Sequence, residues 1–162
     1  MNSLAARDAF YIGRCLHLAD EAARRGEVPV GAVIVDPSGA VVAEGFNLRE
    51  TAFDATAHAE VVALRAASDA RRRWYLDDLT LYVTLEPCLM CAGALVQARI
   101  ARVVYGCTDP KGGAMGSLYD VPNDTRLNHR FPYEAGVRAE ECADRLRAFF
   151  RARRGASVKA PR

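Results

Sequence analysis

The sequence predicts an α/β fold, and three stretches carry that prediction. Residues 4–25 repeat apolar side chains at helical spacing, Val30 to Glu44 reads as two strands around a tight turn, and residues 79–105 run strand, helix, strand. The last pattern implies a parallel pair of strands joined by a crossover helix. At 162 residues the chain fits one domain, residues 1–162, large enough to bury about 70% of its unfolded surface.

Taken in order, Tyr11, Cys15, Leu18 and Ala22 lie beside Ile12, Leu16, Ala19 and Ala23 as a wide apolar helix face, and Gly26 ends it. Val30 to Val35 is a continuous apolar strand. Asp36-Pro37-Ser38-Gly39 places proline and glycine where a type I turn wants them, and Val41-Val42-Ala43-Glu44 completes a hairpin. The polar segment from Gly45 to Ala55 follows, with Asn47 just past the strand end, where α/β folds place ligand-binding groups. Thr56 is a suitable N-cap for a helix over about 57–70, which puts His58 and Glu60 in its first turn. Arg71-Arg72-Arg73 reads as a solvated connection to a buried strand at 79–84.

A helix over about 88–99 comes next, apolar on nearly every side, so it packs in the sheet layers or against another subunit. Arg102-Val103-Val104-Tyr105 is a strand ended by Gly106, and the long glycine-containing stretch from Cys107 to Pro132 has the length of a functional loop. A last amphipathic helix starts at about 139 and carries a basic tail to residue 162. From Arg145 onward there are seven basic residues and no acidic ones, which leaves residues 1–144 with fifteen basic against twenty acidic, a net −5. A cationic tail on an acidic body is a candidate phosphate-binding element, or equally a solvated helix face. No apolar stretch reaches the roughly 18 residues of a membrane span, no secretory signal pattern is present, and five cysteines fit reduced thiols. We expect a cytoplasmic protein in which Cys15 and Cys142 fill the core.

The chemistry concentrates in Thr84-Leu85-Glu86-Pro87-Cys88-Leu89-Met90-Cys91. Proline suits a first helical position, so both thiols should lie in or beside a first helical turn, where the helix dipole favours the thiolate that binds metal. C-x-x-C after a strand fits a redox pair, half of a four-cysteine zinc site, or part of a catalytic zinc site. The remaining cysteines lack a second C-x-x-C spacing, which counts against the four-cysteine site, and the redox reading leaves His58-Ala59-Glu60 unexplained. H-x-E at one helix start followed by P-C-x-x-C at another is the signature of zinc deaminases. His58, Cys88 and Cys91 would then hold Zn²⁺ with a fourth position open, the mark of a catalytic site, in which the metal lowers the pKa of water from 15.7 to about 7.

Over nearly its whole length the chain resembles the bacterial tRNA-specific adenosine deaminases. The stretches that carry the likeness beyond the zinc motif are Glu27 to Val33, Gly45-Phe46-Asn47, Thr56 to Glu60, Leu81 to Gly93, Arg102 to Gly106, Gly116-Ser117-Leu118 and Asn128-His129-Arg130. The resemblance implies a three-layer α/β/α, cytidine deaminase-like fold with a central five-stranded mixed sheet, a homodimer, one Zn²⁺ per subunit, and hydrolytic deamination of adenosine to inosine at the wobble position of a tRNA anticodon stem-loop. It makes Glu60 the general acid and base. Asn47, Val28, Val30, Ala59, Asp109, Asn128, His129 and Arg130 become substrate contacts, and Arg151, Arg153 and Arg154 contacts to the RNA backbone. Asn47 has the alternative of capping its own loop. Asp109 reads either as an acceptor for a ribose 2′-OH, which DNA lacks, or as a cap of its own loop. Pro110 stands where the family often has alanine. A free-nucleobase deaminase such as a guanine deaminase shares the zinc motif, and a zinc-stabilised RNA-binding subunit is the non-enzymatic alternative. Glu60 argues against the latter, since metal binding alone has no use for that acid.

Overall fold

The computed structural model describes residues 3–159 and consists of a mixed five-stranded sheet between two helical layers. Helix α1 (Leu4–Arg24) is capped by Ser3, whose hydroxyl accepts from the Ala6 amide. Strands β1 (Gly31–Val35) and β2 (Val41–Phe46) form the expected antiparallel hairpin, with Gly39 at φ 88° closing the turn onto the Asp36 carbonyl. Then come α2 (Ala59–Arg71), β3 (Thr80–Leu85), α3 (Leu89–Gln97), β4 (Arg102–Cys107), a 3-10 turn (Val121–Asn123), β5 (Tyr133–Glu134) and α4 (Ala139–Lys159). The strand order is β2-β1-β3-β4-β5, and β3 runs parallel to β4 as the crossover pattern requires.

Side-chain alternation along the strands separates two cores. Val33, Val35, Tyr82 and Val104 pack with Tyr11, Cys15 and Cys142 on the α1 and α4 side; Ile34, Leu81, Val83, Val103 and Tyr105 pack with the α2 and α3 layer on the other. Cys15 and Cys142 are core fillers, both buried. At Gly45 the backbone of α2 comes so close that a Cβ would stand 2.7 Å from the Ala59 carbonyl oxygen. The missing side chain lets the start of α2 sit directly on β2, and this fixes where His58 and Glu60 project.

Three boundaries and one short strand differ from the sequence reading, each for a local reason. Thr56 does not cap α2: its amide and hydroxyl both bond to Asp54 Oδ1, and the N-cap is His58. Pro87 precedes the cap of α3 instead of opening the helix, so Cys88 is the N-cap. Gly106 does not end β4, because the Leu85 and Cys107 pairing carries the strand one residue further. Strand β5 is only two residues long, too short to leave a periodic signal. The arginine triplet is less idle than a solvated linker, since Arg71, Arg72 and Arg73 pair with Asp36, Asp69 and Asp78. Residues 160–162, the end of the basic tail, lie outside the described residues. Among the described residues no helix is long and apolar enough to cross a membrane.

Candidate active site

The parallel strands β3 and β4 both end at one edge of the sheet, delivering Glu86 to Cys88 and Thr108 to Asp109. Antiparallel β1 begins at that same edge, next to Val28 and Val30, and β2 ends there at Asn47. A cavity of about 150 Å³ opens at this edge, lined by Val28, Val30, Asn47, Arg49, His58, Ala59, Glu60, Leu85, Glu86, Cys88 and Asp109.

At its base His58, Cys88 and Cys91 bring their ligand atoms within 4.8 Å of one another. His58 Nδ1 stands 3.6 Å from Cys88 Sγ and 3.5 Å from Cys91 Sγ. Zinc bonds of about 2.0–2.1 Å to nitrogen and about 2.3 Å to sulfur, at tetrahedral angles, give ligand edges of about 3.6 Å, so the donor set fits one zinc ion. Both N-cap residues, His58 and Cys88, turn their side chains to this point instead of capping their own helices. The positive ends of α2 and α3 therefore face the two sulfurs. Cys88 is drawn down to about 4 by the hydrogen bond from Cys91, burial opposing, and the same shared proton holds the Cys91 thiol well up. His58 is raised by its bond to Cys88, with burial pulling the other way. The direction at Cys88 favours the thiolate, the form that binds a cation.

Glu60 is 4% exposed and lines the cavity beside the ligands. Burial raises its pKa above the ordinary glutamate value, with a hydrogen bond to Cys91 opposing. An acid whose burial favours the protonated form is suited to taking a proton and giving it back.

The remaining sequence-derived residues divide. Val28, Val30, Asn47, Ala59 and Asp109 all line the cavity. Asn47 also caps its loop, as its Oδ1 accepts from the Arg49 amide at 3.0 Å while its Nδ2 points to the Val28 carbonyl. Asp109 Oδ1 likewise accepts from the Lys111 and Gly112 amides. Asn128, His129 and Arg130 are not brought to this cavity. His129 Nε2 donates to the Ile100 carbonyl, before the start of β4 and thus at the opposite end of that strand, and Arg130 donates to the Thr125 carbonyl. Arg151 and Arg154 face a groove that shares Val28, Leu85 and Asp109 with the cavity, but Arg153 turns away to the Gly26 carbonyl and the Phe149 ring. Sequence reasoning missed Arg49, Leu85 and Glu86 as cavity residues; Glu86, an acid at the end of an otherwise apolar buried strand, was the readable signal.

Comparison with known proteins agrees with this geometry. Residues 6–107 match the cytidine and deoxycytidylate deaminase zinc-binding region. The chain is 48% identical over 139 residues to the tRNA-specific adenosine deaminase of Haemophilus influenzae, covering 86% of this chain and 80% of that one. The chain belongs to the tRNA-specific adenosine deaminase family. The Bacillus subtilis member is 46% identical over 145 residues, 90% of this deaminase and 89% of its own length. A solved tRNA:A34 deaminase superposes with a TM-score of 0.81 at 40% identity, covering 85% of this chain and 99% of its own. A guanine deaminase from Nitrosomonas europaea, at 19% identity and a TM-score of 0.77 over 92% of this chain and 85% of its own, shares the fold.

Proposed function

We propose that this deaminase hydrolyses the 6-amino group of adenosine in tRNA, giving inosine and ammonia, at the wobble position of the anticodon, and that it works in the cytoplasm. The observation that carries the reading is a buried acid, Glu60, beside a His-Cys-Cys zinc site. Bound Zn²⁺ supplies Lewis-acid activation, bringing the pKa of a water down to about 7. Glu60 accepts one proton of the attacking water and delivers it to N1 of the adenine as C6 becomes tetrahedral, then takes the proton of the new C6 hydroxyl and passes it to the amino group, which leaves as ammonia while C6 becomes a carbonyl. Burial serves each step, because it keeps the proton within reach of both ring nitrogen and leaving group. Val28 and Val30 give the purine an apolar wall, and Asn47 offers its amide to the base or ribose. Asp109, its Oδ1 committed to the loop, offers its second oxygen to a ribose 2′-OH.

RNA is favoured over a free base by what adjoins the cavity. The neighbouring groove is lined by Lys111, Arg151 and Arg154 around the half-exposed Phe150, cations for phosphates with a ring on which a base can stack, while Arg147 in the same groove is paired with Asp144 and Glu140. Replacing Arg151 and Arg154 by alanine should weaken binding of an anticodon stem-loop and flatten its salt dependence, by somewhat less than one unit of slope per lost phosphate contact. Turnover of the stem-loop at a rate well above that of free guanine or adenine is expected in the same assay. The reverse preference would make the protein a free-base deaminase.

The homodimer we propose uses the exposed side of α3, where Leu89, Tyr119 and Leu127, all more than a third exposed, line one groove with Val96 and Val121. Sedimentation should give twice the 17.7 kDa chain mass, and Tyr119→Arg with Leu89→Glu should return the monomer.

A further inference from the structure

Two buried carboxylates, Glu86 in the cavity lining and Glu27 next to the lining residue Val28, are 2% and 0% exposed and do no chemistry in the reaction just described. Glu86 is the more consequential. Its partners are uncharged: Oε1 accepts from the Asp109 amide and the Ser117 hydroxyl, and Oε2 from the amides of Met115 and Ser117. Those donors span the whole loop from Asp109 to Ser117. The loop lies so close over the carboxylate that a Cβ on Gly113 would overlap it. The Ala114 amide adds a bond to the Pro87 carbonyl, and Gly113 bridges to Cys88. One buried side chain thus ties the wall that carries Asp109 to the segment that carries the zinc ligands. Glu27 does the equivalent for the opposite wall, accepting from the Glu50 and Thr51 amides just past Asn47 and Arg49.

From this we infer that Glu86 is a positioning residue for substrate: it fixes the Asp109 wall at a set distance from the metal-bearing helix start, and so acts on nucleotide binding through Asp109. The inference rests on the RNA reading above. A carboxylate suits the task because both of its oxygens only accept, and each here receives two donors. In Glu86→Gln an NH₂ on the Oε2 side meets the Met115 and Ser117 amides, and both lose their acceptor; on the Oε1 side it meets the Asp109 amide, which loses its acceptor, and the Ser117 hydroxyl, which can turn to accept. The loop then gains freedom while His58, Cys88, Cys91 and Glu60 keep theirs fixed.

The test compares Glu86→Gln, Asp109→Asn and the double variant on an anticodon stem-loop, with zinc content measured on each. Glu86→Gln should raise KM about tenfold with kcat changed about threefold or less, and retain one zinc per chain. In the Asp109→Asn background, where Oδ1 and hence the loop cap survive, the same substitution should have a much smaller effect on KM, the non-additivity of two groups acting as one. Hydrogen exchange without substrate should show the amides on one side of the former carboxylate, either Asp109 or Met115 and Ser117, losing protection in Glu86→Gln. Ser117→Ala, which removes a single donor and leaves three, should show the same KM effect in smaller measure if Glu86→Gln folds poorly. Equal KM effects with and without the Asp109 change, or a fall in kcat at unchanged KM, would overturn the inference. A wild-type chain that left the stem-loop unedited would instead overturn the RNA reading, and unchanged exchange in Glu86→Gln would show separately that the carboxylate does not hold the loop.

Discussion

Glu60→Gln is expected to fold, hold zinc and lose at least about 10²–10⁴-fold of its turnover, the range of a general acid and base step. The loss should exceed that of most single catalytic substitutions, because one carboxyl group serves the water, the ring nitrogen and the leaving amine. Glutamine keeps the shape of the side chain at a position only 4% exposed, so packing around α2 should survive. The zinc ligands are separate side chains, and metal analysis should read the same as for the wild type. Turnover near that of the wild type, measured as ammonia release or inosine formed, would remove Glu60 from the reaction.

Cys88→Ala is expected to fail differently. Removing one of three protein ligands leaves His58 and Cys91 with too few donors for a stable site. Metal should be lost first, activity with it, and stability after. The fully buried Cys91 would then keep its thiol proton without a partner sulfur. A loss of about 3 kcal/mol would lower the melting temperature by roughly 6–12 °C in a chain of this size. A chelator applied to the wild type should reproduce the activity loss, and added Zn²⁺ should restore it there and not in Cys88→Ala. A zinc-replete, stable Cys88→Ala protein would mean the ligand set is wrong.

The elements with strong periodicity were legible in the sequence: α1, the β1 and β2 hairpin, and the β3, α3, β4 unit. So were the three zinc ligands, because their side-chain chemistry at helix starts has few other uses. The cap positions were not, since Thr56 was read as an N-cap and Pro87 as a first helical position, while His58 and Cys88 take the cap positions with their side chains turned to the metal site. Residues acting through long-range contacts were also hidden. Glu86 meets its partners 23 to 31 positions away, and no spacing rule anticipates a loop folding back over a buried acid. Arg153 shows the converse limit: charge along a helix gave a basic run, but the helix phase decided which arginines face the groove.

Inosine at the wobble position is the product that tests the reaction most directly. A tRNA transcript with adenosine at the wobble position, incubated with the zinc-loaded protein and then reverse-transcribed and sequenced, should read guanosine at that position with every other adenosine unchanged, and show no conversion by Glu60→Gln. An unconverted wobble adenosine, under conditions where the same protein preparation releases ammonia from free guanine, would contradict it.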